Sequence, residues 1–154
     1  MKSTPTNPGA GTGELSPAMQ APMASNHPDP VAREAFNRMY AERARREAQR
    51  PAIEQAGREA LERLYQVAKR DTGQSRRVAS FLLGLYNGTR FPFDLTDLRG
   101  LDYALFEDCM AVLRMDYQPR QEVHNYVPQG GQKFEQLAKD WRLVDRLKDG
   151  PHTL

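Results

Sequence analysis

The sequence has one cysteine, Cys109, and only three histidines, His27, His124 and His152. A lone cysteine excludes an intrachain disulfide and fits a reducing compartment. No two histidines stand at a metal-ligand spacing and no Cys-x-x-Cys occurs, so no metal site is expected. Cys109 lies four residues after Leu105 on an apolar stripe. It reads as a small buried hydrophobe rather than a nucleophile with His124 as base. No apolar run approaches the roughly 20 residues that a membrane span requires. Lys2 is not followed by the apolar core of a secretory leader. The expected location is the cytoplasm of a bacterial host cell, away from the membrane.

Phosphate-cradling loops are missing as well. Gly9, Gly11 and Gly13 fall in a Pro-rich stretch with no strand before them and no helix directly after. Neither a cofactor nor catalysis is expected. Charge of one sign is also scarce: 22 basic residues face 20 acidic ones, a net charge of +2. That total is too small to imply nucleic-acid binding by itself.

Residues 1–29 lack large aliphatics other than Leu15 and methionine and are rich in Pro, Gly, Ser, Thr and Asn. Such a segment buries too little surface to offset its ordering entropy, so a disordered tail is expected.

What remains is helical periodicity. Asp29-Pro30 is an N-cap followed by proline at the first helical position. Val31, Ala35, Phe36, Met39, Tyr40 and Ala44 then recur at spacings of three to five. Pro51 is expected to break or kink this segment. Ile53, Ala56, Ala60, Leu61, Leu64, Val67 and Ala68 continue on one face up to Thr72-Gly73, read as a C-cap. Residues 30–74 are therefore a helical hairpin, or one kinked rod.

Residues 75–150 read as the bundle proper. Ser75 is the expected cap of a helix buried through Val78, Phe81, Leu82 and Leu85 and stopped by Asn87-Gly88. Phe91-Pro92-Phe93 reads as an extended plug. Asp94 or Thr96 starts a single turn ending near Gly100, with Leu95, Leu98 and Leu101 inward. Asp102 caps a helix whose core side is Leu105, Phe106, Cys109, Met110, Val112 and Leu113. One turn is expected within 121–126 and a flexible joint at Gly130-Gly131. The last helix buries Phe134, Leu137, Ala138, Trp141, Val144 and Leu147 and ends at Gly150-Pro151. The fold class is all-α: a small bundle of about five helices with the N-terminal hairpin and tail.

The charges are polarised along the chain. Asp94, Asp97, Asp102, Glu107, Asp108 and Asp116 outnumber Arg99 and Arg114 between residues 91 and 118. Arg63, Lys69, Arg70, Arg76 and Arg77 outnumber Asp71 between residues 63 and 77. Asp94, Asp97 and Asp102 suit helix starts, where the helix dipole favours acids. Glu107, Asp108 and Asp116 gain nothing from it. Either the two poles attract each other inside the fold, or each is a docking surface.

The segments FPFDLTDLRGLD, AVLRMDYQPRQEVHNY and the Gly-Gly before FEQLAKDW give residues 75–141 a resemblance to a known domain. It resembles a small uncharacterised domain carried on proteobacterial plasmids and integrative conjugative elements. Some proteins of these elements are similar to anti-CRISPR inhibitors of the type I-F system. The resemblance implies a non-catalytic inhibitor that binds a subunit of the surveillance complex and blocks target DNA binding or nuclease recruitment. The acidic face is then the docking surface. Two alternatives stand beside it. One is a DNA-associated accessory protein of a conjugative element, using the arginine-rich N-terminal helices, with the basic face also able to touch phosphates. The other is a structural helical module that forms a homodimer.

Overall fold

The computed structural model describes residues 29–149. The expected disordered tail lies outside the described residues. Four α-helices run Pro30–Ala68 (α1), Gly73–Tyr86 (α2), Tyr103–Asp116 (α3) and Gly130–Asp140 (α4), with 3-10 helices at Leu95–Gly100 and Val123–Tyr126. Among the described residues there is no strand, as expected for an all-α chain. No helix among them is long and apolar enough to cross a membrane.

The chain divides into two compact units, one up to Gln49 and one from Arg50. In the first, the start of α1 leaves Val31 and Met39 exposed and half-buries Phe36 and Tyr40. Glu42 holds Arg45 and Arg46 on the next turn at 2.5 and 3.0 Å.

Of the two alternatives for residues 30–74, the chain takes the single helix, and Pro51 lies inside it. Proline removes one amide donor. That donor would have met the carbonyl four residues earlier, and residue 47 is exposed, so water can reach it. The expected C-cap at Thr72-Gly73 is instead the start of α2. The Thr72 hydroxyl accepts the Ser75 amide at 3.0 Å and bonds the buried Ser75 hydroxyl at 2.7 Å. Thr72, not Ser75, is thus the cap.

The core of the second unit is one cluster. Leu61 and Leu64 of α1, Val78, Phe81, Leu82 and Leu83 of α2, Cys109, Val112 and Met115 of α3, and Phe134 and Leu137 of α4 are all buried. Burying a side chain of this size stabilises by about 1.5–3 kcal/mol. Gly57 is buried where α1 meets α3; an added Cβ would fall 2.5 Å from Met115 Cβ. Phe91 is buried and Phe93 meets Phe81 edge-on at 5.7 Å, which makes 91–93 the expected plug. Asn87 ends α2, its amide donating to the Leu83 carbonyl and its side chain accepting the Arg90 amide.

Three further expectations are corrected. Leu95 is 73% exposed, while Leu98 and Leu101 pack on the core. Gly130-Gly131 is no joint: it opens α4, with Gly130 buried. Finally, α4 ends at Asp140, leaving Val144 and Leu147 exposed. The stop is a Schellman turn. Leu143 N–H donates to the Ala138 carbonyl at 3.1 Å and Arg142 N–H to the Lys139 carbonyl at 3.0 Å, with Arg142 left-handed at φ 50°. Glycine is favoured at that position, and a side chain there is strained. Arg142→Gly is expected to raise stability by about 0.5 kcal/mol. Urea unfolding checks this; a lower midpoint would mean that the guanidinium contributes more than the backbone strain costs.

Candidate functional site: an arginine-lined cleft

The acidic residues do not form one free face. Asp94 caps the Leu95–Gly100 turn, accepting the Thr96 amide and hydroxyl, both at 2.8 Å. These bonds hold its carboxyl below the usual range. Asp102 stands at the N-cap of α3 but makes no capping bond through its side chain. Its carboxylate accepts from Gln74 Nε2 at 2.9 Å, and its amide donates to Gln74 Oε1 at 2.6 Å. Asp108 is paired with Arg63 through two bonds of 2.8 and 3.1 Å, joining α3 to α1.

Among the described residues, Asp97, Glu107 and Asp116 have no cation within ion-pair distance. Glu107 is exposed, and Asp97 and Asp116 are half-buried. Burial pushes the Asp116 carboxyl up, and neighbouring Glu122 adds to the shift.

The basic set is likewise split. Arg63 is used by Asp108. Lys69 lies 5.2 Å from the Tyr65 ring centroid. The Arg77 guanidinium covers Gly100, within reach of its carbonyl at 3.4 Å. Arg70 is exposed beside Trp141, whose indole N–H caps the end of α1 by donating to the Ala68 carbonyl at 2.7 Å. Arg76 reaches the Trp141 carbonyl at 3.4 Å, a long bond that leaves most of its donors open.

Arg76 also belongs to a different constellation, one that the sequence did not reveal. It lines a cleft of about 420 Å³ with Ser80, Phe91, Pro92, Leu143 and Val144 and with two more arginines, Arg142 and Arg146. No carboxylate is among the described residues that line it. The opposite wall is the chain after α4. The Schellman turn redirects it, and Arg146 N–H then donates to the Arg90 carbonyl at 3.0 Å. Asp145 points inward and is held by Arg90 through bonds of 2.9 and 2.7 Å. So alternation along this segment buries the acid and leaves Arg142 and Arg146 exposed.

The family model of DUF7673, described as a family of unknown function, matches residues 58–142, more than half of the chain. The chain belongs to the DUF7673 family. The match begins inside α1, ahead of the 75–141 stretch that carried the resemblance. The DUF7673 region holds Arg76, Ser80, Phe91, Pro92 and Arg142; Leu143, Val144 and Arg146 follow it. No curated protein and no solved structure is significantly similar to the chain.

Two other features complete the chemistry. Burial drives the Cys109 thiol up to about 12, so it stays protonated and unreactive at neutral pH. A shallower surface of about 540 Å³ at the start of α4 is lined by His124, Asn125, Val127, Pro128 and residues 129–132, none of them a charged pair. Among the described residues no cluster of His, Cys, Asp and Glu could hold a metal ion.

Proposed function

We propose that this DUF7673 protein acts by stoichiometric binding, without turnover, and that it docks an anionic partner in the arginine-lined cleft. The observation that carries this reading is that Arg76, Arg142 and Arg146 share one cleft with no carboxylate among the described residues that line it. Like charges gathered without a counter-charge repel one another, a cost that an incoming anion removes. The direct test is calorimetric titration of the full chain with a heparin oligosaccharide. Reversing all three arginines to glutamate is expected to weaken binding by about tenfold or more, with affinity falling as salt rises. Reversing Asp97 and Glu107 to lysine is expected to leave it unchanged or tighter. Equal affinities of wild type and arginine variant would remove the site.

A second reading keeps the inhibitor of a type I-F surveillance complex. It is favoured by Asp97, Glu107 and Asp116, which have no ion-pair partner among the described residues and could meet a basic protein surface. Its test is capture of a purified type I-F complex. Lysine at positions 97 and 107 should abolish capture while helicity stays the same.

A further inference from the structure

We propose that the arginine-lined cleft is a phosphate-monoester site whose ligand is a phosphorylated side chain of a partner protein. The inference rests on the reading above, that the cleft takes an anion, and adds which anion it takes.

Three arginines, Arg76, Arg142 and Arg146, line one cleft together with Ser80. A carboxylate has one negative charge and two oxygens, and a single guanidinium fork can satisfy it. A phosphate monoester carries about −1.5 to −2 charges at neutral pH and three acceptor oxygens. Three arginines exceed what a carboxylate can use and match what a phosphomonoester presents. All three are arginine rather than lysine, the side chain suited to bidentate recognition of such oxygens.

A nucleic-acid strand carries a charge at every residue and needs a basic path. A smaller cleft of about 250 Å³ beside Trp141 is lined by Asp71 and Asp140 as well as by Lys69 and Arg70. The positive surface therefore does not continue on that side. The lining is also partly apolar: Pro92 is exposed, Val144 is 53% exposed and Leu143 is half-buried. A phosphorylated residue within a peptide brings apolar neighbours to cover them, and a free phosphate ion does not. Recognition of phosphorylated motifs by arginine clusters follows this same physics.

The test uses the full chain and fluorescence anisotropy with four labelled probes. They are a peptide carrying phosphoserine between valines, the same peptide with serine, the same with glutamate, and an oligonucleotide with no terminal phosphate. The phosphopeptide is expected to bind at least about tenfold tighter than the glutamate peptide, and Arg146→Ala to remove most of that difference. Phenyl phosphate and benzoate, titrated against ¹⁵N-labelled protein, repeat the comparison free of peptide context, and phenyl phosphate should bind tighter. Equal binding of phosphate and carboxylate probes would overturn the monoester inference while leaving the anion reading intact. A tighter oligonucleotide would overturn it in favour of nucleic acid. Failure of every probe and of heparin would remove both.

Discussion

Gly130→Ala is expected to destabilise the protein by about 3 kcal/mol or more. Gly130 is the first residue of α4 and is buried. A Cβ there would overlap the carbonyl oxygen of His124 and fall 2.7 Å from its carbonyl carbon. Neither side can yield easily. The His124 carbonyl accepts the Val127 amide at 3.2 Å, closing the Val123–Tyr126 turn, and Val123 and Val127 are both buried. On the other side, Gln129 is already left-handed at φ 56°, and four residues after Gly130 stands Phe134, fully buried against Tyr65 and Tyr86. Moving the helix start would pull Phe134 out of the core. Gly131 is the internal control, since an added Cβ meets nothing within 4 Å there. Gly131→Ala should be neutral or stabilising by up to about 1 kcal/mol, because alanine is the better helix former. Denaturant midpoints of the two variants decide the matter; matching midpoints would mean that the Gly130 contact relaxes at no cost.

Arg90→Ala is expected to lower Tm by roughly 10 °C or more and to flatten the acid dependence of stability. Arg90 is nearly buried and holds two carboxylates at once: Glu135 of α4 at 2.5 and 3.1 Å and Asp145 beyond α4 at 2.7 and 2.9 Å. The Tyr86 hydroxyl donates to Glu135 at 2.9 Å, and the guanidinium lies 4.7 Å from the Phe91 ring centroid. Removing the arginine leaves two acids facing each other without their cation. The bonds from Arg90 hold the Glu135 carboxyl down near 2, and they hold Asp145 below its ordinary value too. Groups with depressed folded-state values stabilise above their unfolded values, and that stability is lost as pH falls through the folded ones. Wild type should therefore lose stability between about pH 4.5 and pH 2, and Arg90→Ala should lose less over that range. Thermal melts across that interval check the sign. Because Asp145 anchors the segment bearing Arg142 and Arg146, the same variant should also weaken anion binding.

Much of the helical order was legible in the residues. Leu61 and Leu64, Val78 and Leu82, Cys109 and Val112, and Phe134 and Leu137 recur at helical spacing, and all are buried. Asp29-Pro30 and Asn87 announced their helix ends through local chemistry alone. The misreadings came where local chemistry meets tertiary contact. Pro51 signalled a break, yet on an exposed stretch the helix tolerates it. The pair Gly130-Gly131 signalled freedom, but Gly130 is there for a close backbone approach to His124. Val144 and Leu147 continue the period of α4, whereas Arg142 adopts a conformation that its residue type gives no hint of.

The candidate site was the least legible. Arg76 appeared as part of a basic run, while Arg142 and Arg146 stood more than sixty residues away in a segment read as helix. Only the turn after α4 and the inward pull of Arg90 on Asp145 bring them together. A segment alternating Arg142, Val144 and Arg146 with Leu143 and Asp145 carries a period of two, and that was the available signal. Among the acids, the pairing of Asp108 with Arg63 spans 45 residues and has no local signature.

The anion-binding role of the cleft is tested most directly by following the Nε–Hε signals of the arginines as inorganic phosphate is titrated into ¹⁵N-labelled protein. The predicted result is that Arg76, Arg142 and Arg146 shift together along one saturating curve, while Arg63 and Arg90, held by their carboxylates, stay in place. Shifts spread evenly over all exposed arginines, or none at those three, would contradict it.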